Sequence, residues 1–369
     1  MFHSKRLASL WLKSGMFFIF FGLFGAYMKA EGPLALQERV VDIFESKQKA
    51  VVRVLAIFPS DEADKAPMLQ VGTGFLISKE GHILTNTNIV DQASLVYVEC
   101  NKKSYEAVLV GADAATNISI LKIENSTESF DFLGVSDSAE GLKKGSFLLA
   151  ISCEMGLEPC PSLGILTGYN LYYGDKTLPT TCIRSDIPSD GGEGGSPVFD
   201  INGRFVGMIM ASLVDIRSCF IIPARAIVRI RDDILFAGAV AYGYFGLRID
   251  EESAIRRDQP LLVAEVRPNS PAAKAGIRQN DVILSVDGLK LKDLADLHDI
   301  VFFAKPGQFL SVQVLRKGAT LDLNLQVGSM DHEVSIQKLD TEGTLLEPAV
   351  LNKDTVLFPD HQPKLDATH

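Results

Sequence analysis

The sequence predicts a mainly β protein: an all-β domain followed by a small α+β domain. Two observations carry this. From residue 51 onward, short apolar runs recur at roughly 8–12-residue spacing, separated by turn residues. The 30 Gly and 16 Pro are spread along the 369 residues rather than clustered, as many turns between short strands require.

The elements follow in order. Leu34 to Gln48 places Leu36, Val40, Ile43 and Phe44 at helical spacing. Val51 to Ile57 reads as a strand, and the polar stretch Pro59 to Pro67 as a loop. Strand-type runs follow at Val71 to Ile77, His82 to Leu84, Leu95 to Val98, Glu106 to Val110, Ile118 to Ile123 and Phe147 to Ile151. They continue at Leu163 to Leu171, Thr181 to Ser185, Pro197 to Phe199 and Arg204 to Ala211. The result is an all-β barrel or sandwich over about 50–225, closed by a helix from Ala224 to Phe236. The second domain holds strands at Tyr244 to Ile249, Leu261 to Val266 and Val282 to Val286. Ser270 to Gly276 is a short helix with a glycine stop, and Asp287-Gly288 a turn. Leu291 to Ala304 is a helix, and Leu310 to Leu315 with Thr320 to Gln326 a hairpin. The expected boundaries are 1–30, 34–236, 237–328 and a polar tail, 329–369.

Residues 1–30 read as an address. Lys5, Arg6 and Lys13 precede an apolar run, Met16 to Met28, too short for the ~20 residues of a membrane span. With Ala30 before Glu31 this is a signal peptide, or a short membrane anchor if it is not cleaved, and places the protein in the periplasm or cell envelope. Lys+Arg 36 against Asp+Glu 46 gives a net charge of −10, so nucleic acid is excluded as a partner, because phosphate neutralisation needs clustered cations. Five cysteines, Cys100, Cys153, Cys160, Cys182 and Cys219, leave at least one thiol unpaired. In an oxidising compartment the others form disulfides or stay as small buried hydrophobes. Without CxxC or a nearby histidine, zinc is not expected, nor any other metal or cofactor.

Gly72-Thr73-Gly74-Phe75-Leu76-Ile77-Ser78 followed by Gly81-His82-Ile83-Leu84-Thr85-Asn86 resembles the first-barrel motif of HtrA (DegP-like) serine proteases. Gly111-Ala112-Asp113 with Ile118 to Ile123 is similar to the family's next block, Ile183 to Asp186 with Gly192 to Phe199 to the block around its nucleophile, and Phe220 to Pro223 to its final strand. Tyr244-Phe245-Gly246-Leu247, Ser270 to Gly276 and Asp281 to Leu284 resemble a PDZ domain. The ordered set covers about 50–327. It implies a trypsin-like double six-stranded β-barrel followed by a PDZ domain.

The resemblance also locates the chemistry. Acyl transfer in this family needs a hydroxyl nucleophile, an imidazole base and an orienting carboxylate. The matching positions here hold Gly194, Asn88 and Asn117. An amide is not a base, and glycine has no nucleophile. Removing the imidazole strands a buried carboxylate, and asparagine at 117 removes that charge. The oxyanion-hole positions are Gly192 and Gly194; Asp186 reads as a turn or capping residue. Ser196 is an alternative nucleophile, but His82, the one histidine of the β domain, lies six residues before Asn88. In the PDZ-like domain, Tyr244, Phe245, Gly246 and Leu247 would receive a C-terminal carboxylate, with Leu294 and Leu297 as groove-wall candidates or ordinary core residues. The expected protein is an exported pseudoprotease. It binds unfolded or C-terminal polypeptide segments as a chaperone-like holder, or partners an active HtrA-like protease. By resemblance it forms a homo-oligomer, a trimer. The alternative is an active HtrA-like serine endopeptidase in periplasmic protein quality control, using Ser196.

Overall fold

A computed structural model describes residues 33–59, 66–136, 141–154, 157–173, 176–188, 192–213, 217–250 and 260–330. The expected signal segment and most of the polar tail lie outside these residues. The chain divides into two units, 1–42 and 43–369. Helix α1, Pro33–Lys47, ends with Lys47 in its last turn, where a cation complements the helix dipole.

Two closed six-stranded barrels follow. The first is built from β1 (Val51–Phe58), β2 (Met68–Leu76), β3 (His82–Asn86), β4 (Leu95–Cys100), β5 (Lys103–Asp113) and β6 (Ile118–Ile123), in the order β1-β2-β3-β6-β5-β4. A short helix, α2 (Thr87–Val90), leaves the end of β3. The second barrel contains β7 (Phe147–Ser152), β8 (Cys160–Tyr173), β9 (Lys176–Ser185), β10 (Pro197–Asp200), β11 (Phe205–Leu213) and β12 (Ser218–Pro223), in the order β10-β11-β12-β9-β8-β7. Closure removes the exposed edges that an open sheet would present, and barrel rather than sandwich is the outcome. Val52, Val54, Leu76, Ile83 and Leu121 share one buried face and fill the first interior; Leu148, Leu166, Val198, Ile209 and Ile221 fill the second.

Helix α3 (Ala224–Asp232) and a single wide turn, Asp233–Ala237, lead to the small domain. There β13 (Gly243–Tyr244) pairs with β20 (Gly328–Ser329). A sheet of β14 (Leu247–Ile249), β15 (Leu261–Val266), β16 (Val282–Val286), β18 (Phe309–Arg316) and β19 (Ala319–Gln326) runs in that order, with β17 (Leu289–Lys290) on β16. Helices α4 (Pro271–Ala275) and α5 (Leu294–Phe303) complete the domain.

Two predicted elements differ from the structure for local reasons. The strand Tyr244 to Ile249 is split, because Gly246 takes φ +75° and turns the chain. The helix predicted from Leu291 begins at Leu294, because Asp293 is extended and its carboxylate caps the N–H of Asp296 at 3.2 Å.

The small domain is fastened to the barrels by its helix α5 and by the chain leading into it. Asp299 of α5 accepts hydrogen bonds from the Thr180 hydroxyl (2.7 Å) and the Thr181 N–H (2.8 Å) of β9, and pairs with Arg225 of α3. Arg229 lies over the rings of Tyr242 and Phe302, 5.0 and 4.8 Å from their centroids. The Tyr242 hydroxyl donates to the buried carboxylate of Asp113 at 2.6 Å, tying the linker to the end of β5. Tyr172, near the tip of the β8–β9 hairpin, packs against the core of the small domain.

Candidate active-site remnant and peptide-binding loop

Asn88 and Asn117 come together at the inner end of the first barrel. Asn88 sits half-buried on α2; Asn117 occupies the turn before β6 with φ +57°, a left-handed conformation that asparagine tolerates better than most residues. The Asn88 N–H donates to Asn117 Oδ1 at 2.9 Å, and Asn117 Nδ2 donates to Asn88 Oδ1 at 3.1 Å. Asn117 Nδ2 also donates to the Met210 carbonyl at 3.1 Å, which accepts a second bond from Asn86 Nδ2 at 3.1 Å. Both members of the pair are neutral amides. The arrangement holds two side chains rigidly but accepts no proton at physiological pH.

Gly194, just before β10 of the second barrel, lies against Asn86 and Ile89 of the first. A Cβ placed on it would lie 2.9 Å from Asn86 Nδ2, so the amide of Asn86 occupies the room a side chain at 194 would need. Asn86 Oδ1 is buried without a hydrogen-bond partner, a cost of about 1–3 kcal/mol that the fold carries at this spot. Thr73 clamps the loop: its N–H donates to the Gly194 carbonyl at 3.2 Å and its hydroxyl to the Gly192 carbonyl at 2.8 Å. Gly192 has φ +92°, and Gly195 has φ +86° with no room for a Cβ, which would meet the Thr73 carbonyl oxygen at 2.1 Å.

Ser196 is fully buried and its hydroxyl has no hydrogen-bond partner. Its N–H closes a turn onto the Glu193 carbonyl at 2.9 Å. His82 is engaged elsewhere, with Nδ1 2.8 Å from the Ser78 hydroxyl at the start of β3. Burial and the nearby Lys122 hold its pKa below the ordinary value. Asp186 accepts a hydrogen bond from the Ile165 N–H at 2.6 Å, a strand-end cap.

In the small domain, Phe245 and Leu247 are buried at 1% and 4% exposure, and Leu294 and Leu297 at 1% and 0%, all within one hydrophobic core. The two leucines of α5 thus pack as core, and within the loop Gly246 is buried while Tyr244 is half-buried. The loop is fixed by its carbonyls: Phe245 accepts from the Ala272 N–H and Gly246 from the Arg267 N–H, both at 2.9 Å. A Cβ on Gly246 would strike Ser270 Cβ at 2.3 Å. Strand β14, directly after the loop, is the edge of its sheet.

Residues 72–208 match the trypsin-like peptidase domain model, and 243–327 the PDZ domain model. The chain carries a trypsin-like peptidase domain followed by a PDZ domain, the arrangement of the HtrA/DegP-like proteins it resembles. It is 32% identical over 278 residues to a probable periplasmic serine endoprotease, DegP-like, from Pseudomonas fulva, covering 70% of this chain and 56% of that one. With its counterpart in Chlamydia trachomatis it shares 28% over 297 residues, covering 76% and 59%. The chain therefore spans somewhat over half the length of the curated relatives it matches. The solved HtrA-type protease AlgW with tripeptide superposes with a TM-score of 0.66 at 23% identity, covering 79% of this chain and 98% of that one, a likeness of fold.

Asn88 pairs with Asn117, Gly192 and Gly194 are both held by Thr73, and Ser196 is buried. Asn86, Thr73 and the Met210 carbonyl are structural partners of the site that residue types alone did not single out. Thr73 and Asn86 stand inside the two motifs that carry the resemblance, the one signal that could have pointed to them. Among the described residues no group of His, Cys, Asp and Glu is arranged to hold a metal, and no helix is long and apolar enough to cross a membrane.

Proposed function

We propose that this chain is an exported HtrA/DegP-like pseudoprotease that binds polypeptide segments through its PDZ domain and does not cleave them. One observation carries the reading: the reciprocal Asn88–Asn117 amide pair offers no base and no carboxylate, and with glycine at 194 there is no nucleophile, where acyl transfer needs all three. Relatives named periplasmic serine endoproteases support an extracytoplasmic location, as does the expected signal segment. A PDZ domain receives an extended peptide as an added strand, and the edge strand β14 with the Tyr244–Leu247 loop is where we place it. The AlgW structures with tripeptide and decapeptide support a peptide as the occupant. The role is that of a chaperone-like holder, or of a partner to an active HtrA-like protease, and self-assembly into trimers belongs to the same reading.

The test is incubation of the purified chain with casein and with a reduced, aggregating client. No cleavage with suppressed aggregation supports the holder; no cleavage and no holding directs the reading to the regulatory partner. The competing endopeptidase using Ser196 needs a hydroxyl that reaches solvent and a base, and the Ser196 hydroxyl is enclosed. Cleavage abolished by Ser196→Ala would overturn the pseudoprotease.

A further inference from the structure

Strand β14 ends its sheet, and its outer side is built for a partner. The Gly246 carbonyl accepts from the Arg267 N–H at 2.9 Å, and the Asp250 N–H donates to the Leu262 carbonyl at 2.8 Å. Both bonds point inward, to β15 and the residue that follows it. Backbone groups alternate sides along a strand, so those of Leu247 and Ile249 point outward from the sheet. The side chains of the same two residues are buried in the domain core. They anchor the strand while its outward N–H and C=O groups face the position of an added strand.

The chain itself leaves the domain beside this edge. In β20, Gly328 pairs with Tyr244 and Ser329 with Gly243, and the Met330 N–H donates to the Tyr242 carbonyl at 3.2 Å. Met330 therefore exits next to the start of the Tyr244–Leu247 loop, and residues 331–369 follow it. Among them Thr355-Val356-Leu357-Phe358 is a run rich in strand formers. Asp354 precedes it, and Pro359, which cannot donate to a ladder, ends it. The apolar runs Leu345-Leu346 and Ala349-Val350-Leu351 are shorter and are interrupted by Glu347 and Pro348. A flexible stretch of the length from Met330 to Thr355 spans roughly 25–30 Å. The three residues of β14 extend over about 10 Å. The run can thus lie along β14 in either direction, at an effective concentration on the order of millimolar.

We propose that residues 355–358 of this chain add to β14 as an extra strand, so that the peptide site is occupied by its own polypeptide until a stronger ligand displaces it. This rests on the reading of β14 and the Tyr244–Leu247 loop as the peptide site, and names that site's resident occupant. Tethering makes the docking independent of protein concentration, whereas a separate peptide must outcompete the local segment. The bonds involved are main-chain hydrogen bonds to the outward groups of Leu247 and Ile249, so the segment is held by its extended backbone.

The test uses the full chain and a variant carrying Val356→Asp with Phe358→Asp, which puts charge into the run and changes none of the described residues. Two quantities are read: amide exchange of Leu247 and Ile249, and calorimetric affinity for a synthetic peptide ending in Val-Leu-Phe with a free carboxylate. In the variant, exchange of the two amides is expected to be about tenfold faster and the peptide to bind about tenfold more tightly. Leu345→Asp with Leu346→Asp should behave as the wild type. Equal exchange and equal affinity in variant and wild type would overturn the docking and leave peptide binding standing. Equal exchange with no peptide bound by either protein would overturn both. Faster exchange in the variant without peptide binding would support the docked segment and overturn the free C-terminus as ligand. An effect of the Leu345 and Leu346 changes in place of the others would overturn the choice of run. Protection of Leu247 and Ile249 that fades on dilution would assign the segment to a second copy and overturn the intrachain form.

Discussion

Asn117 Nδ2 is shared between two oxygens, Asn88 Oδ1 and the Met210 carbonyl, each 3.1 Å away. A carboxylate at 117 would turn both contacts from attractive to repulsive while keeping the bond from the Asn88 N–H. Asn117→Asp is expected to destabilise the chain by about 2–3 kcal/mol at pH 8, the cost of facing buried acceptors with an anion. The two oxygens would raise the folded-state pKa of the new acid above the unfolded value of about 3.9. The penalty is then fully present above the folded pKa and fades as pH falls to the unfolded one. Urea unfolding at pH 8 and pH 4 checks this; an equal deficit at both would show that the Nδ2 contacts do not govern the site.

Restoring one group should not restore chemistry. Gly194→Ser supplies a hydroxyl, but its Cβ must displace the Asn86 amide from 2.9 Å, and no base follows. Casein cleavage by this variant is expected to stay at background. Asn88→His, Asn117→Asp and Gly194→Ser together supply a complete acid–base chain, since triad members act as a unit. Cleavage about 100-fold or more above the single variant is expected, by the usual worth of a positioned base. It should be blocked by a fluorophosphonate. Cleavage by Gly194→Ser alone would show that another base serves the site.

Much of the architecture was legible because strand signals are local. The runs at Ile118 to Ile123 and Phe147 to Ile151 were read almost to the residue, as alternation and flanking turns allow. The Asp287-Gly288 turn was legible from its dipeptide, and both residues take positive φ, 47° and 77°. Closure of each sheet into a barrel was legible only through the family resemblance, because it depends on pairings such as β1 with β4 that no local pattern encodes. The reach of the β8–β9 hairpin to Tyr172 was missed for the same reason: its end is set by packing against the small domain. At the site, Asn88, Asn117 and Gly194 were found only through resemblance to a family, since asparagine and glycine advertise no chemistry. The Cys153–Thr73–Gly192 connection joins two backbone groups through one threonine hydroxyl, a pairing that residue types alone do not reveal.

Asp299 joins the PDZ domain to the second barrel by accepting from Thr180 and Thr181 and pairing with Arg225. Asp299→Ala leaves the Thr181 N–H and the Thr180 hydroxyl without this acceptor. Hydrogen exchange is expected to speed up by about 10- to 100-fold in β9 and α5, matching about 1–3 kcal/mol of lost docking. Exchange within β1–β6 should not move. Protection unchanged in α5 would mean that Arg229 and its aromatic partners hold the domain alone.

The loop Tyr244–Leu247 depends on one residue without a side chain. Gly246→Ala must adopt φ +75° and push against Ser270, so the loop either distorts or costs about 1–3 kcal/mol. Affinity for a peptide with a free C-terminus is expected to fall at least tenfold by calorimetry, while the barrels melt as before. Unaltered affinity would place the ligand elsewhere than on this loop.

His298 on α5 titrates against the fold. Its pKa is lowered to about 4 by burial, which outweighs the opposing charge of Asp299. The folded state holds the neutral imidazole, so a proton binds the unfolded chain first, near pH 6.5. Its contribution to stability is complete above pH 6.5, declines as pH falls and levels off near pH 4, a total of about 3 kcal/mol. His298→Gln removes that slope and leaves the remaining acid dependence from the carboxylates. Urea titrations of both proteins at pH 7.5 and 4.5 should therefore converge at the lower pH, the wild type losing more. Parallel losses would show that the imidazole is already open to solvent, with the α5–β9 packing loose around it.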